Sequence, residues 1–379
     1  MSPERRPPAR LLYAASETDA DILHPTGFFA PDPFLFIQKG RRRILVMSDL
    51  EMDRARAQAR VDEVRSWSVY AKAEQAAGRT ATPAGVIARV LRALEVRRVE
   101  VPRSFPLGLA MDLDERGIRL ETGPDPFWPE RELKRPDEVR AITAALRAAE
   151  AGLEAGLAAL RATRIGRDGW LRREGRRFTA EDLRAAVNER IMALACVPAH
   201  TICAPGDQAV DPHEEGHGPI RAHTPIVMDI FPRSEKTGYF GDLTRTVVRG
   251  RASARLQEVY ALVNEGVRLG HRRVRPGARG SAIHREIQDL FTARGYPTGM
   301  RDGRMQGFFH GTGHGLGLQI HESPSISSRP TPRLRAGHVV TVEPGLYYLG
   351  LGGVRIEDVA LVTPAGSRNL TRVPKFLEL

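Results

Sequence analysis

The amino-acid sequence predicts a mixed α/β (α+β) protein that folds as two domains. The chain has 379 residues, whereas a single domain usually has roughly 100–200. Short apolar segments typical of strands alternate with helical ones in the first 125 residues. A proline-rich break at residues 123–129 then precedes a long amphipathic segment. Together these observations favour a smaller α/β domain followed by a larger mixed one.

The first 125 residues contain three predicted strands and two predicted helices. Residues 11–15, 34–37 and 44–47 are apolar runs of strand length, and residues 50–64 and 85–96 read as helices. In the second helix Val86, Val90 and Leu94 recur at helical spacing. Three prolines within residues 124–129 are incompatible with regular structure and indicate a linker, assigned to residues 126–136.

A long helix should open the second domain, residues 137–379. Pro136 and Asp137 suit its first turn, and apolar residues such as Val139, Ile142 and Leu146 recur at steps of three and four. Three more helices are expected at residues 180–194, 255–269 and 281–294. The polar residues that could take part in catalysis or metal binding lie on the strand segments between these helices.

Composition excludes two classes of function and indicates a compartment. The net charge of +11 comes mainly from arginines spread through both halves, and the longest run covers only residues 41–43, so no nucleic-acid partner is predicted. No stretch approaches 18 apolar residues, so no membrane span is predicted. The basic start lacks a signal-type apolar segment, and the two cysteines fit a reducing compartment. The expected location is the cytoplasm.

Two aspartates stand within or beside apolar strands. Asp229 interrupts the apolar segment 225–231, and Asp242 begins the segment 242–248, with a polar turn joining the two as a hairpin. A carboxylate in an apolar strand costs several kcal/mol unless a cation or hydrogen-bond donors compensate it. Either aspartate alone could form a structural ion pair.

A glycine-rich segment carries three histidines, His310, His314 and His321. Four glycines within residues 311–317 prevent a stable helix and let the imidazoles come close together. The segment has neither G-x-G-x-x-G nor Gly-Lys-Ser/Thr, so no nucleotide cofactor is predicted.

Two glutamates lie on late strands. Glu343 ends the strand 339–343, and Glu357 follows Arg355 on the same strand face, where the two could pair. Several carboxylates with one imidazole suit divalent ions such as manganese, cobalt, zinc or iron. The number of carboxylates exceeds what one ion requires, and a pair of ions can activate a water and neutralise a developing oxyanion.

These motifs resemble, in order, the five ligand motifs of prolidase and aminopeptidase P, the Xaa-Pro peptidases of the M24 family. The matching segments are Asp229 and residues 238–246, 311–318, 342–345 and 355–358. The resemblance covers the whole chain. It implies a creatinase-type N-terminal domain at residues 1–125 and a pita-bread catalytic domain at residues 137–379. Residues 230–232 depart from the family's usual Ala-Gly or Leu-Gly after the first aspartate.

The resemblance implies two divalent metal ions, with manganese expected first and cobalt or zinc as alternatives. Asp229 would bind one ion and His314 the other. Asp242 and Glu357 would bridge the ions. Glu343 would bind the second ion and handle the proton of the attacking water.

The resemblance also implies the residues that meet the substrate. His213 and His321 would contact it, and His310 would line the same pocket. Either His310 or His321 would stabilise the oxyanion, and Arg355 would brace Glu357.

The reaction implied is hydrolysis of the Xaa-Pro bond in a dipeptide or longer proline-containing peptide. Chain length favours an Xaa-Pro dipeptidase (prolidase), and an Xaa-Pro aminopeptidase is the alternative. A dipeptidase must bind a free carboxylate, for which arginine is the natural partner. Arg301 and Arg304 are the candidates from sequence. The resemblance alone implies a homodimer.

Four other functions fit less well. Methionine aminopeptidases usually lack a large N-terminal domain, creatinase lacks the metal ligands, and a binding protein on a dead peptidase scaffold would have lost them. Residues 213–217 spell H-E-x-x-H, the zinc-protease signature, which works only on a helix. Pro212, Gly216 and Pro219 disfavour a helix there.

Overall fold

The computed structural model describes residues 8–379, and these form two compact units, of which the first ends at Arg131 and the second is Glu132–Leu379. Among the described residues, no helix has the length and apolar character needed to cross a membrane.

The first unit is a six-stranded mixed sheet with helices on both faces. The strands are β1 (Ala9–Ala14), β2 (Phe34–Lys39), β3 (Arg42–Met47), β4 (Glu63–Ser66), β5 (Arg98–Val101) and β6 (Arg119–Thr122). Their order in the sheet is β4-β3-β2-β1-β5-β6, with antiparallel pairing among β1, β2 and β3 and parallel pairing at both flanks. The helices are α1 (Ala20–Thr26), α2 (Met52–Gln58), α3 (Trp67–Ala76), α4 (Pro83–Ala93) and α5 (Leu107–Asp114).

Alternate residues of the central strands pack into cores on opposite faces of this sheet. Leu35 and Ile37 join the core that includes α4, whereas Phe34 and Phe36 join the core on the other face. The predicted strands and the helix at 85–96 are confirmed within a few residues. The predicted helix over residues 50–64 is wrong in its second half. Helix α2 ends at Gln58, residues 59–62 form neither helix nor strand, and β4 begins at Glu63, because pairing with β3 supplies backbone hydrogen bonds that local periodicity does not reveal.

The second unit contains four long helices and seventeen short strands among the described residues. The helices are α6 (Pro136–Arg161), α7 (Ala180–Met192), α8 (Ala254–Arg273) and α9 (Gly280–Ala293). The strands are β7 (Arg164–Ile165), β8 (Leu171–Arg173), β9 (Arg176–Arg177), β10 (Cys196–Val197), β11 (Ile202–Pro205), β12 (Pro225–Ile230), β13 (Arg233–Ser234), β14 (Leu243–Val248), β15 (Gly299–Arg301), β16 (Arg304–Gln306), β17 (Gly313–Gly315), β18 (Glu322–Ile326), β19 (Val339–Val342), β20 (Gly345–Tyr348), β21 (Gly352–Arg355), β22 (Asp358–Thr363) and β23 (Gly366–Asn369). All four helices of the sequence prediction are confirmed.

The long helix α6 begins where the sequence predicts. Glu138 accepts a hydrogen bond from the backbone N–H of Arg135 (2.8 Å), and Pro136 fits the first turn because its missing N–H needs no partner there. Gly156 lets the helix lie against β12, since a Cβ at this position would be 2.4 Å from the Met228 side chain.

Two sheets bring the acidic residues of distant segments together. In the sheet β11-β12-β14, Asp229 pairs with Thr244, and Asp242 directly precedes β14. In the sheet β18-β17-β19-β22-β23, Val342 pairs with Asp358. Glu343 follows β19 and Glu357 precedes β22, so these two glutamates lie at the same end of neighbouring antiparallel strands.

A glycine fixes the approach of the Asp242 hairpin to α6. A Cβ at Gly241 would lie 2.4 Å from the backbone of Ala145 and of Leu146, which no real side chain tolerates. We expect Gly241→Ala to lower the free energy of unfolding by about 1–3 kcal/mol, measured as a lower unfolding temperature by calorimetry. Gly299→Ala is the control, because a Cβ there meets nothing within 4 Å. Equal unfolding temperatures for the two variants would contradict this close approach.

Candidate metal centre and substrate cavity

A cavity of about 1050 Å³ lies in the second unit. All nine residues predicted from the sequence to form the site line it: His213, Asp229, Asp242, His310, His314, His321, Glu343, Arg355 and Glu357. They come from six separate segments of the chain, so the fold rather than local sequence brings them together.

Three of these residues are arranged to share one ion. Asp242, His314 and Glu357 each offer a ligand atom, and the three atoms lie within 4.8 Å of one another. Nε2 of His314 is 3.6 Å from Oδ2 of Asp242 and 3.2 Å from Oε1 of Glu343, so Glu343 borders the same group. This arrangement could hold a divalent metal ion.

Two buried carboxylate oxygens without hydrogen-bond partners, on residues that line the cavity, fit such an ion. Oδ1 of Asp229 and Oε1 of Glu357 are buried and have no hydrogen-bond partner among the described residues. A buried carboxylate oxygen without a partner is costly, so these atoms call for a cation. The second oxygen of Glu357 is held by the Thr244 hydroxyl at 2.8 Å, which orients the unpartnered one.

The carboxylates also repel one another. Burial raises the pKa of Asp242 well above its usual range, and the Asp229 carboxylate adds to the rise. Burial likewise raises the pKa of Glu357 well above its usual range, with the Asp242 carboxylate as the next cause. Without a cation such a cluster retains protons, and a divalent ion would displace them.

The imidazole of His314 is oriented as a ligand. Its Nδ1 lies 3.1 Å from the Gly315 carbonyl oxygen, so a proton there donates to the backbone and leaves the Nε2 lone pair facing the carboxylates. Burial alone would lower the pKa of His314, but the Glu343 and Asp242 carboxylates outweigh it and raise the pKa to about 9. A positive charge is therefore favoured at this point of the cavity.

Arg355 contacts Asp229 rather than Glu357. Its Nη2 lies 2.7 Å from Oδ2 of Asp229, and its Nη1 donates to the Tyr347 hydroxyl at 2.9 Å. The Tyr347 hydroxyl in turn lies 2.8 Å from Nε2 of His310. The expected brace on Glu357 is thus supplied by Thr244, while Arg355 orients Asp229 and begins a hydrogen-bonded chain to His310.

The other two histidines are less constrained. His321 is exposed, and its ring lies edge-on to that of His314 with 4.3 Å between centroids. His213 is exposed in a turn, and residues 213–217 form no helix. The H-E-x-x-H zinc signature needs a helix that places both histidines on one face, and residues 213–217 do not provide it.

Sequence reasoning missed three residues of this cavity region: Thr244, Tyr347 and Arg329. Thr244 and Tyr347 act through contacts across the fold that no local pattern indicates. Arg329 lines the cavity, and its guanidinium has no ion pair among the described residues. Arg301 instead lies in the β15–β16 hairpin and stacks over the Tyr348 ring, and Arg304 lies on the same hairpin.

Comparison with known proteins identifies the family. A sequence model described as metallopeptidase family M24 matches residues 140–364. The chain is 43% identical over 140 residues to an uncharacterised peptidase, YqhT, of Bacillus subtilis, covering 37% of each chain. It is 36% identical over 139 residues to a Pyrococcus furiosus protein named Xaa-Pro dipeptidase, covering 37% of this chain and 38% of that protein. The matches thus span well under two thirds of both relatives.

The fold has solved counterparts. The crystal structure of an X-Pro aminopeptidase from Thermotoga maritima superimposes with a TM-score of 0.81 at 22% identity, covering 98% of this chain and 97% of that one. This likeness shows the fold and confirms the predicted mixed α/β, pita-bread architecture. Because the family model covers more than half of the residues and includes the strands around the cavity, the chain belongs to metallopeptidase family M24.

Proposed function

We propose that this protein is a dinuclear-metal peptidase that hydrolyses the Xaa-Pro bond, and specifically an Xaa-Pro dipeptidase. The observation that carries the proposal is one cavity that combines a carboxylate-rich donor set with an arginine that has no ion pair among the described residues. The local similarity to a protein named Xaa-Pro dipeptidase supports the same substrate class.

The proposed metal ligands are Asp229, Asp242, His314, Glu343 and Glu357. Four carboxylates with one imidazole favour a hard or borderline ion, and we propose manganese first, with cobalt or zinc as alternatives. When bound, such ions act as a Lewis acid toward the peptide carbonyl and make a water acidic enough to attack at neutral pH.

Glu343 is the proposed proton carrier. Its Oε1 accepts a hydrogen bond from the Thr341 hydroxyl at 3.2 Å, which holds the carboxylate toward the cavity. This carboxylate takes a proton from the attacking water as the new C–O bond forms. It then delivers the proton to the prolyl nitrogen as the C–N bond breaks, so that the amine leaves neutral.

The hydrogen bonds of His310 favour His321 as the oxyanion donor. Because Arg355 donates to the Tyr347 oxygen, the Tyr347 hydroxyl is free to donate to Nε2 of His310. Nδ1 of His310 then carries the proton and donates to the Gly311 carbonyl at 2.7 Å. Both ring nitrogens are engaged, and burial lowers the pKa of His310 to about 4. We therefore assign His321 as the hydrogen-bond donor to the carbonyl oxygen. His213 is assigned a contact with the substrate.

Arg329 is the proposed partner of the substrate's free carboxylate. It replaces Arg301 and Arg304 in this role, because it lines the cavity, whereas of their hairpin only Met305 does so. Ser327 and Ser328 line the cavity beside it and add hydroxyl donors. A guanidinium fork binds a carboxylate through two parallel hydrogen bonds, so this site would select a dipeptide over a longer chain.

The dipeptidase assignment predicts a measurable preference. We expect kcat/KM for an Xaa-Pro dipeptide to exceed that for its C-terminal amide at least tenfold, since losing a charged hydrogen bond costs about 1.5–3 kcal/mol. Arg329→Met should remove most of this preference by raising KM for the dipeptide only. Arg301→Met is the control and should leave it intact. Equal or faster hydrolysis of Xaa-Pro-Yaa tripeptides by the wild type would instead support an aminopeptidase.

Three further assignments stay predictions. We propose that residues 1–125 form a creatinase-type domain, joined by residues 126–136 to the catalytic domain 137–379. We also propose a homodimer and a cytoplasmic location. Light scattering at micromolar concentration tests the dimer, and a purely monomeric species would contradict it.

A further inference from the structure

A buried ion pair joins Lys134 to Glu322, the residue that directly follows His321. Nζ of Lys134 is 2.7 Å from Oε2 of Glu322, and the two side chains are only 2% and 7% exposed. Burying two charges is costly, so such a pair often adds little net stability. Its place in the fold indicates another role.

The Glu322 carboxylate organises the loop formed by residues 316–321. Its Oε1 accepts the backbone N–H of Gln319 at 3.0 Å. Gly317 packs so closely on this carboxylate that a Cβ there would lie 2.6 Å from Oε2. The other side of the loop is held by the Phe240 N–H, which donates to the Gly317 carbonyl at 2.9 Å. The loop is therefore held by the Glu322 carboxylate on one side and by the backbone of Phe240 on the other.

Lys134 is itself held in place independently of Glu322. Its backbone N–H donates to the Gly337 carbonyl at 2.8 Å, directly before α6. The ammonium that contacts the Glu322 carboxylate therefore projects from a backbone position that is held by its own hydrogen bond. The residue directly before Glu322 is His321, whose ring lies against that of His314.

We propose that Lys134 is a positioning residue that places His321 through Glu322 and the loop 316–321. The catalytic part of this inference rests on the proposed function, because it takes His321 as the donor to the carbonyl oxygen. The structural part does not. Removing the ammonium removes a 2.7 Å ion pair from a buried carboxylate, and the loop that this carboxylate holds should become less well ordered.

Hydrogen exchange tests the structural part without any substrate. In Lys134→Met, amides of residues 316–322 should exchange at least about tenfold faster than in the wild type, while those of α8 should stay unchanged. Lys134→Arg should restore the protection. Arg147→Met is the matched control, since it removes an ion pair with Glu150 within α6. If the amides of residues 316–322 exchange in Lys134→Met at the same rate as in the wild type, the proposal is overturned. Should that variant not fold, Lys134→Gln provides the same comparison while keeping a hydrogen-bond donor.

A double-mutant cycle tests the catalytic part. On an Xaa-Pro dipeptide, Lys134→Met should lower kcat by about 10–100-fold with KM little changed, because a misplaced catalytic group mainly affects the transition state. In the His321→Ala background the same change should cost almost nothing further. Losses that multiply independently would overturn the positioning role. Failure of the wild type to cleave any Xaa-Pro substrate would reject the proposed function, while the exchange result would still decide the role of Lys134.

Discussion

Exhaustive chelation should abolish Xaa-Pro hydrolysis, and manganese or cobalt should restore it. Asp242→Ala should not be rescued in this way, because it removes one of the three ligand atoms that Asp242, His314 and Glu357 bring within 4.8 Å of one another. The loss should be at least about 10³-fold, since a Lewis acid contributes several kcal/mol and each ~1.4 kcal/mol is a factor of ten in rate. Activity against an Xaa-Pro dipeptide and metal content by plasma mass spectrometry are the two measurements.

The control for this prediction is another aspartate of the same unit. Asp289 is exposed on α9, so Asp289→Ala should keep both metal and activity. Binding should also stabilise the fold, because an ion that binds only the native state raises the unfolding temperature. That rise should be clear in the wild type and much smaller in Asp242→Ala. Full activity in metal-free protein would refute the dinuclear mechanism.

Local sequence patterns could predict the residues that need special local conformations or interrupt a regular pattern. Asp229 breaks an apolar strand, and His314 sits between glycines, one of which, Gly313, packs against the Thr341 carbonyl with no room for a Cβ. Such features can be recognised in the sequence because they depart from the residue pattern of a regular strand or helix. The same logic predicted the start of α6 from Pro136.

Residues that act through long-range contacts could not be predicted in this way. Lys134 meets Glu322 across 188 positions, and neither residue interrupts a pattern in its own segment. Tyr347 reads simply as a strand residue until its hydroxyl is seen between Arg355 and His310. The end of α2 was missed for a related reason, since β4 is stabilised by pairing with a distant strand. Contacts of this kind depend on topology, and composition and periodicity do not encode it.

His321 should prove essential for turnover but not for metal binding. We expect His321→Ala to lower kcat and kcat/KM for an Xaa-Pro dipeptide by a similar factor, roughly 10²–10³, the usual cost of losing one oxyanion donor. Metal content should stay at the wild-type level. KM should change little, because Arg329 and the metal ligands are untouched.

His217→Ala is the matched control, because His217 is an exposed loop histidine whose backbone N–H is held by Gln208. It should leave turnover unchanged.

The comparison with His310 is equally informative. Since both nitrogens of His310 are engaged, His310→Ala should act by freeing the Tyr347 hydroxyl and loosening Arg355 on Asp229. Its effect should therefore include weaker metal binding, whereas that of His321→Ala should not. Loss of an ion from His321→Ala would make His321 a ligand and return the oxyanion role to another donor.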